Sequence, residues 1–378
     1  MWCFGGSRVK PVRAAVAAAV AAASVLAATG AAAPAGAAVY PAALAALACR
    51  STSLCVAVGV NTPTMSSQLV GNNWNGSRWS RVTMPNPSSA RTVGEFGVSC
   101  PSATACVAVG DADPPTGNMY AIASYWNGSH WTTGRTADPG INSGLMAVSC
   151  PSLSSCFAVG AYGTAGAEEL PLIEHWNGTG WTRQAAPLPA GIRQGSLNDV
   201  SCASSALCVA VGAGQGAAIE DRWNGHAWST AALPNRLNVS PYGVSCHTTT
   251  CFVVGADNNG TSVGTYRLTG STWVYLPAPA PAGVAYPGLQ SVSCPLANRC
   301  LAVGNDISGG VFADAWNGRA WVGVPMHQSG GLVRQFEQVR CVSWPRCMAL
   351  GSAGSIGAQW RSESAYWNGT SWEVTATV

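Results

Sequence analysis

Cysteines and carboxylates are the residues of this 378-residue chain best able to do chemistry: it carries fifteen cysteines and sixteen acids. Fourteen of the cysteines fall into seven close pairs. The pairs are Cys49-Cys55, Cys100-Cys106, Cys150-Cys156, Cys202-Cys208, Cys246-Cys251, Cys294-Cys300 and Cys341-Cys347. Thiolates so spaced could hold a metal, shuttle electrons or form disulfides. Zinc sites favour the tighter Cys-x2-Cys with histidines at fixed offsets, and no histidine recurs beside these pairs. On adjacent antiparallel strands the two cysteines of a pair oppose each other, about 4.5 to 5.5 Å apart at Cα, within disulfide reach. Seven disulfides are therefore expected.

The carboxylates are less organised. A glycosidase needs two acids at a defined separation, and Glu168, Glu169, Glu174, Glu220 and Asp221 are the candidates. They belong to third-strand regions or adjoining loops of two repeats and read as solvated edge residues. The loop after the A-V-G segment carries Asp111 and Asp113, Asp257 with Asn258 and Asn259, and Asp306 with Asn305. Such oxygens on one rim could hold calcium or a sugar, although Asp and Asn beside Gly and Pro are ordinary turn formers. The histidines His130, His175, His226, His247 and His327 occupy different repeat positions. Arginines and tyrosines are scattered, and no triad with a nucleophile elbow appears. No catalytic residue and no cofactor is assigned.

The elements that must position these residues are set by the repeat. One clean copy reads V-S-C-P-S-A-T-A-C-V-A-V-G over 98–110, followed by Y-W-N-G-S-H-W over 125–131. The first cysteines and the closing tryptophans Trp79, Trp131, Trp181, Trp228, Trp273, Trp321 and Trp372 advance by 44 to 52 residues. Each unit reads as four short strands. The V-S-C strand turns through Pro101–Thr104 into C-x-A-V-G, and a variable stretch leads to the third strand, Tyr120–Trp126 in the second copy. An Asn-Gly turn then gives the fourth. Asn-Gly is a strong hairpin signal, since both residues tolerate the positive φ of a type I′ turn. Four strands repeated seven times at this period predict an all-β, seven-bladed β-propeller with four antiparallel strands and one disulfide per blade. Repeats start near 46, 97, 147, 199, 243, 291 and 338, within one domain spanning 39–378. Whether the Asn-Gly loop has two residues or four, the flanking tryptophans share one blade face and pack between blades. Leu268 takes the one slot of fourteen that is not tryptophan, as a packing role allows.

The first 38 residues stand outside the repeat. Arg8, Lys10 and Arg13 precede an uncharged run over 14–29 and a small-residue stretch, the pattern of a secretory signal peptide. The mature chain is expected to start near Val39. Leu44–Cys49 loosely resembles a lipoprotein box, but Cys49 has a partner in its repeat. Beyond the leader sixteen arginines balance sixteen acids and no lysine remains. That neutrality offers no basic stripe for nucleic acid, and no further apolar run could span a membrane as a helix.

The period and four-strand unit resemble the kelch and Asp-box propellers over about 46–378, and the N-G-S-x-W turn over Asn127–Trp131 is similar to the Asp-box turn. The leading Ser-x-Asp and the kelch double glycine are absent, so no functional residue carries over. The cysteine-paired form resembles secreted repeat proteins of actinobacteria, which implies an extracellular location and no activity. The expected function is non-catalytic binding by a secreted, monomeric propeller presenting rim loops (60–70, 111–119, 161–169) to a protein or cell-surface glycan. A polysaccharide hydrolase or lyase, or a purely structural envelope role, are the alternatives. A thiol assay on unreduced secreted protein should find no free cysteine; seven or more free thiols would exclude the paired framework.

Overall fold

The computed structural model describes residues 43–377, apart from 62–65, 138–140, 167, 235–238, 258–262, 281–283, 285, 307–309, 327, 330–334 and 354–360. Residues 1–38, expected above to be a leader, and Asn258, Asn259 and His327 therefore lie outside the described residues. Seven four-stranded antiparallel units follow one another over 43–83, 92–135, 144–184, 196–232, 239–275, 288–324 and 335–376. Each is an up-and-down meander in chain order. A two-residue strand, Gln328–Ser329, adds in parallel to the outer edge of unit 7. The first strand of each unit lies against the first strands of its neighbours, and that of unit 7 lies against that of unit 1. First strands thus surround an axis, fourth strands lie outermost, and the architecture is that of a propeller. No helix among the described residues is long and apolar enough to cross a membrane.

The faces between units form the core. Trp223 and Trp228 of unit 4 close on Phe157 and Val159 of unit 3, with ring centroids 5.0 and 5.2 Å from Phe157. Trp316 and Trp321 of unit 6 meet Phe252 and Val254 of unit 5 in the same way. Units 1, 2, 3 and 7 each lay a tryptophan pair on the second strand of the unit before it in the ring. At the junction of units 4 and 5, Leu268 and Trp273 cover Val209 and Val211, so leucine fills the tryptophan slot as packing. Burying an indole removes roughly 150–250 Å² from water, worth about 4–6 kcal/mol at about 25 cal/mol per Å².

All seven disulfides are present, each within one unit, with Cα–Cα distances of 3.9–4.0 Å. Closing so short a loop stabilises by about 2 kcal/mol. The Cys49 thiol is consumed by Cys55 and is not free for a lipid. The hairpin beyond the cysteines is tighter than the sequence implies. In unit 2 the strands run to Ser102 and from Ala105, leaving only Ala103 and Thr104 in the turn.

The Asn-Gly turn also differs from the type I′ expectation. Trp126 pairs directly with Trp131, so the loop has four residues. Of its Asn and Gly only Gly128 has positive φ, at 96°. Asn127 instead uses Oδ1 to accept from the N–H groups of Ser129 and His130 and from the Ser129 hydroxyl. Asn75, Asn177 and Asn368 do the same. The side chain closes the turn, which also accounts for the sequon-like N-G-[ST].

A further recurrent bond links the units. The serine before the first cysteine accepts from the N–H of the equivalent cysteine in the next unit. The pairs are Ser99–Cys150, Ser149–Cys202, Ser201–Cys246, Ser245–Cys294 and Ser293–Cys341, at 2.9–3.0 Å. Units 7 and 1 carry Arg340 and Ala48 in this slot. Their junction is held otherwise: Leu44 N–H donates to Ser362 Oγ, Leu47 N–H to Gln338 Oε1 and the Trp79 indole to Ser364 Oγ. Ser201→Ala should cost about 1–3 kcal/mol by stranding the Cys246 N–H. Ala48→Ser should add up to about 1 kcal/mol by supplying Cys100 with the missing acceptor. Denaturant midpoints check both, and a destabilised Ala48→Ser protein would contradict the account.

Candidate functional site

The two ends of the ring differ in kind. At one end lie the cysteine hairpins and the Asn-Gly turns, locked together by repetition. The third-strand indoles of Trp74, Trp176 and Trp223 donate to the hairpin carbonyls of Thr52, Leu153 and Ser205 at 3.0–3.2 Å. At the other end lie the loops joining second to third strands and the linkers between units, and there nothing repeats.

The transition between the two regimes is a bulge. In every unit the first strand skips one residue in its pairing with the second. The skipped residue stands four before the first cysteine: Ala45, Phe96, Met146, Asn198, Tyr242, Gln290 and Glu337 in turn. All seven are partly exposed although their neighbours are mostly buried. A bulged residue leaves the ladder and is re-aimed, here around the axis. The recurring glycine of A-V-G is the counterpart. A Cβ on Gly59, Gly110, Gly160, Gly212, Gly255 or Gly304 would stand 1.8–2.1 Å from a first-strand carbonyl oxygen, so only glycine lets the bulged backbone approach. The bulge also explains why first strands begin three to five residues before the starts read from sequence. Alternation breaks there, and the pairing beyond it is hidden.

At the non-repeating end the bulged residues of units 3 to 6, Met146, Asn198, Tyr242 and Gln290, line a cavity of about 430 Å³. Asp111, Glu168 and Glu169 supply its carboxylates. No cysteine, tryptophan or ring serine belongs to the lining. A second cavity, of about 390 Å³, lies along the outer part of unit 3. There the Arg183 guanidinium stacks over the Tyr162 ring, 4.3 Å from its centroid, and donates to its hydroxyl.

The acids singled out by sequence separate cleanly. Glu174, Glu220 and Asp221 are not solvated edge residues, because they are sealed between units. Glu174 accepts from the Thr136 hydroxyl and the Ala137 N–H; Glu220 pairs with Arg222 and takes the Trp273 indole. They lie on third strands whose two faces both contact neighbouring units, a circumstance that edge reasoning overlooks. Glu168 and Glu169 remain exposed at the mouth. Of the four rim acids only Asp111 reaches the cavity, half-buried, with its carboxyl pushed up to about 7 by burial and by Asp113 beside it. Asp113 is exposed, Asp257 is buried at the end of its strand, and Asp306 accepts from Gly310 N–H. Among the described residues no three His, Cys, Asp or Glu side chains gather as metal ligands. His130 and His226 are exposed on turns, while His175 stacks on Phe157 at 4.4 Å, its pKa lowered by burial.

No protein-family model and no curated protein matches the chain. Solved structures do resemble it. YCF48 bound to D1 peptide is 14% identical, with 82% of this chain and 89% of that chain covered at a TM-score of 0.54. Sqt1 of Chaetomium thermophilum, bound to the N-terminus of a ribosomal protein, is 12% identical, with 87% and 85% covered at a TM-score of 0.51. A hypothetical selenium-binding protein from Sulfolobus tokodaii is 9% identical, with 89% and 92% covered at 0.56. The likeness is one of fold.

Three sealed acids make stability depend on pH. Burial raises Glu95 to about 8, and Asp221 and Asp314 to about 7. The folded state thus keeps protons that the unfolded chain releases near pH 4 to 4.5. Their contribution is complete below that range and is lost as pH rises through 7 to 8. Denaturant midpoints should fall from pH 5 to pH 8.5, and Glu95→Gln should flatten the fall. A midpoint that rises over this range would refute the assignment.

Proposed function

We propose that the chain is a secreted, closed seven-bladed β-propeller that binds a protein or a cell-surface glycan at the axial mouth without turning it over. Residues 1–38 act as its signal peptide and the mature chain begins near Val39. Seven disulfides suit an oxidising compartment. The observation that carries the reading is the cavity of about 430 Å³, to which the bulge position of units 3 to 6 contributes four different residue types, Met146, Asn198, Tyr242 and Gln290. Positions that build the ring repeat because every unit needs them; positions free of that demand converge on one concavity of a size that holds ligands. Two of the propellers it resembles hold a peptide or a protein N-terminus, which makes a peptide segment a reasonable ligand to try beside glycans.

Catalysis on polysaccharide has one observation in its favour: Asp111, raised to about 7, shares the mouth with Glu168 and Glu169. A glycan array, a peptide array and a hydrolysis screen on the mature protein separate the readings. Tyr242→Ala and Gln290→Ala should each weaken binding about tenfold, roughly 1.4 kcal/mol. Leu153→Ser, on an exposed hairpin tip at the opposite end, should leave binding unchanged. Turnover abolished by Glu169→Gln would replace the binding reading with a hydrolase or lyase.

A further inference from the structure

We infer that the mouth receives a positively charged side chain, a guanidinium or ammonium presented by a segment of a protein partner. This rests on the mouth being the binding site and commits it to one class of ligand. Three carboxylates, Asp111, Glu168 and Glu169, line the cavity and no lysine, arginine or histidine does. The chain beyond the leader is neutral, so this local excess is a property of the site and not of the composition. Among the described residues no cation or hydrogen-bond donor meets the Asp111 carboxylate. A carboxylate sunk in a wall without a partner is costly, and an arriving cation would supply one. The Tyr242 ring lies in the same lining and offers a face to a guanidinium. Arg340, an arginine of the inner strands, is turned away, donating to the Val339 carbonyl and Ser291 hydroxyl.

Other occupants fit less well. A bare divalent cation needs converging oxygens at 2.0–2.6 Å, whereas this space is far wider and no such group gathers among the described residues. A neutral glycan would leave all three carboxylates uncompensated. The mouth opens on the end where the non-repeating loops stand, so a side chain entering it would bring its backbone across those loops. That favours a protein segment over a free amine. Ionised Asp111 is the form that pairs, so binding near neutral pH should release a proton. The titratable groups around it are Asp113 on its own strand, Glu168 and Glu169 in unit 3 and Tyr242 in unit 5.

The test uses the mature chain and four probes, acetyl-Gly-Gly-X-Gly-Gly-amide with X as Arg, Lys, Gln or Glu, in calorimetric titrations at low salt. The Arg and Lys probes should bind at least about tenfold more tightly than Gln, a gap of roughly 1.4 kcal/mol. The Glu probe should not bind, and 0.5 M salt should narrow the gap by screening. Asp111→Asn, and Glu168→Gln with Glu169→Gln, should bring the Arg-to-Gln ratio toward one with denaturant midpoints that do not fall. Equal binding of Arg and Gln probes overturns the inference, as does displacement of the Arg probe by millimolar calcium chloride. So do neutral glycans that bind wild type and the Asn and Gln variants alike, an outcome that spares the binding reading. If neither peptides nor glycans bind, both readings fall together.

Discussion

The structure depends on one contact, made seven times: a tryptophan pair on the outer strands of a unit, or Leu268 with Trp273 in unit 5, pressed against the second strand of the unit before it. A four-stranded sheet has two faces and can cover neither by itself, so no unit is stable without neighbours. The ring is closed without exchange of a strand, since units 1 and 7 each contain four consecutive strands of their own. Closure therefore falls to side chains. The junction of units 7 and 1 lacks the serine-to-cysteine bond and has Gln338, Ser362 and Ser364 bonded across it instead. Met348 and Leu350 meet Trp74 and Trp79 there as the apolar seal.

The same contact dictates where variety is tolerated. Residues between units are fixed by volume, those at the cysteine end by hairpin geometry and by indole-to-carbonyl bonds. The bulge releases one residue per unit from both constraints, at the cost of a glycine opposite it. That trade recurs in all seven units, so the molecule presents a ring of seven side chains of varied type beside its axis, from Ala45 through Glu337, among which Asn198 donates to the Pro241 carbonyl. Their chemistry runs from methyl to phenol to carboxylate, as expected of positions that packing does not choose.

Much of this was legible in the sequence, for a physical reason: recurrence reports shared constraint. The cysteine pairs, the tryptophan face and the four-strand unit all recur, and Leu268 showed that the aromatic slot demands volume. The serine ring and the A-V-G glycine recur as well, but they act through backbone groups of another strand or another unit, which residue type alone does not reveal. The bulge was hidden because a skipped residue breaks alternation where the side chains are also most varied. The acids misled. Glu174, Glu220 and Asp221 look like edge residues because third strands of isolated sheets are half solvated, and only the ring buries both faces.

Those buried acids bear on how function should be read from titration. Asn72, Ser124, Glu174, Asp221 and Asp314 occupy equivalent third-strand positions, two before the aromatic slot, and each is at most 1% exposed. Shifted carboxyls often mark active sites, yet Asp221 and Asp314 are shifted by the same burial that makes them inaccessible. Glu95, the most shifted, is held by the Ser124 hydroxyl inside unit 2. A group that no ligand can reach contributes to the stability curve and to nothing else. Access is the discriminating quantity, and Asp111 and Glu169 are the acids that combine a raised pKa with an opening to the mouth. The charge-poor sequence sharpens the contrast: where charges are scarce, Asp111, Glu168 and Glu169 gather around one concavity whose described lining holds no lysine, arginine or histidine.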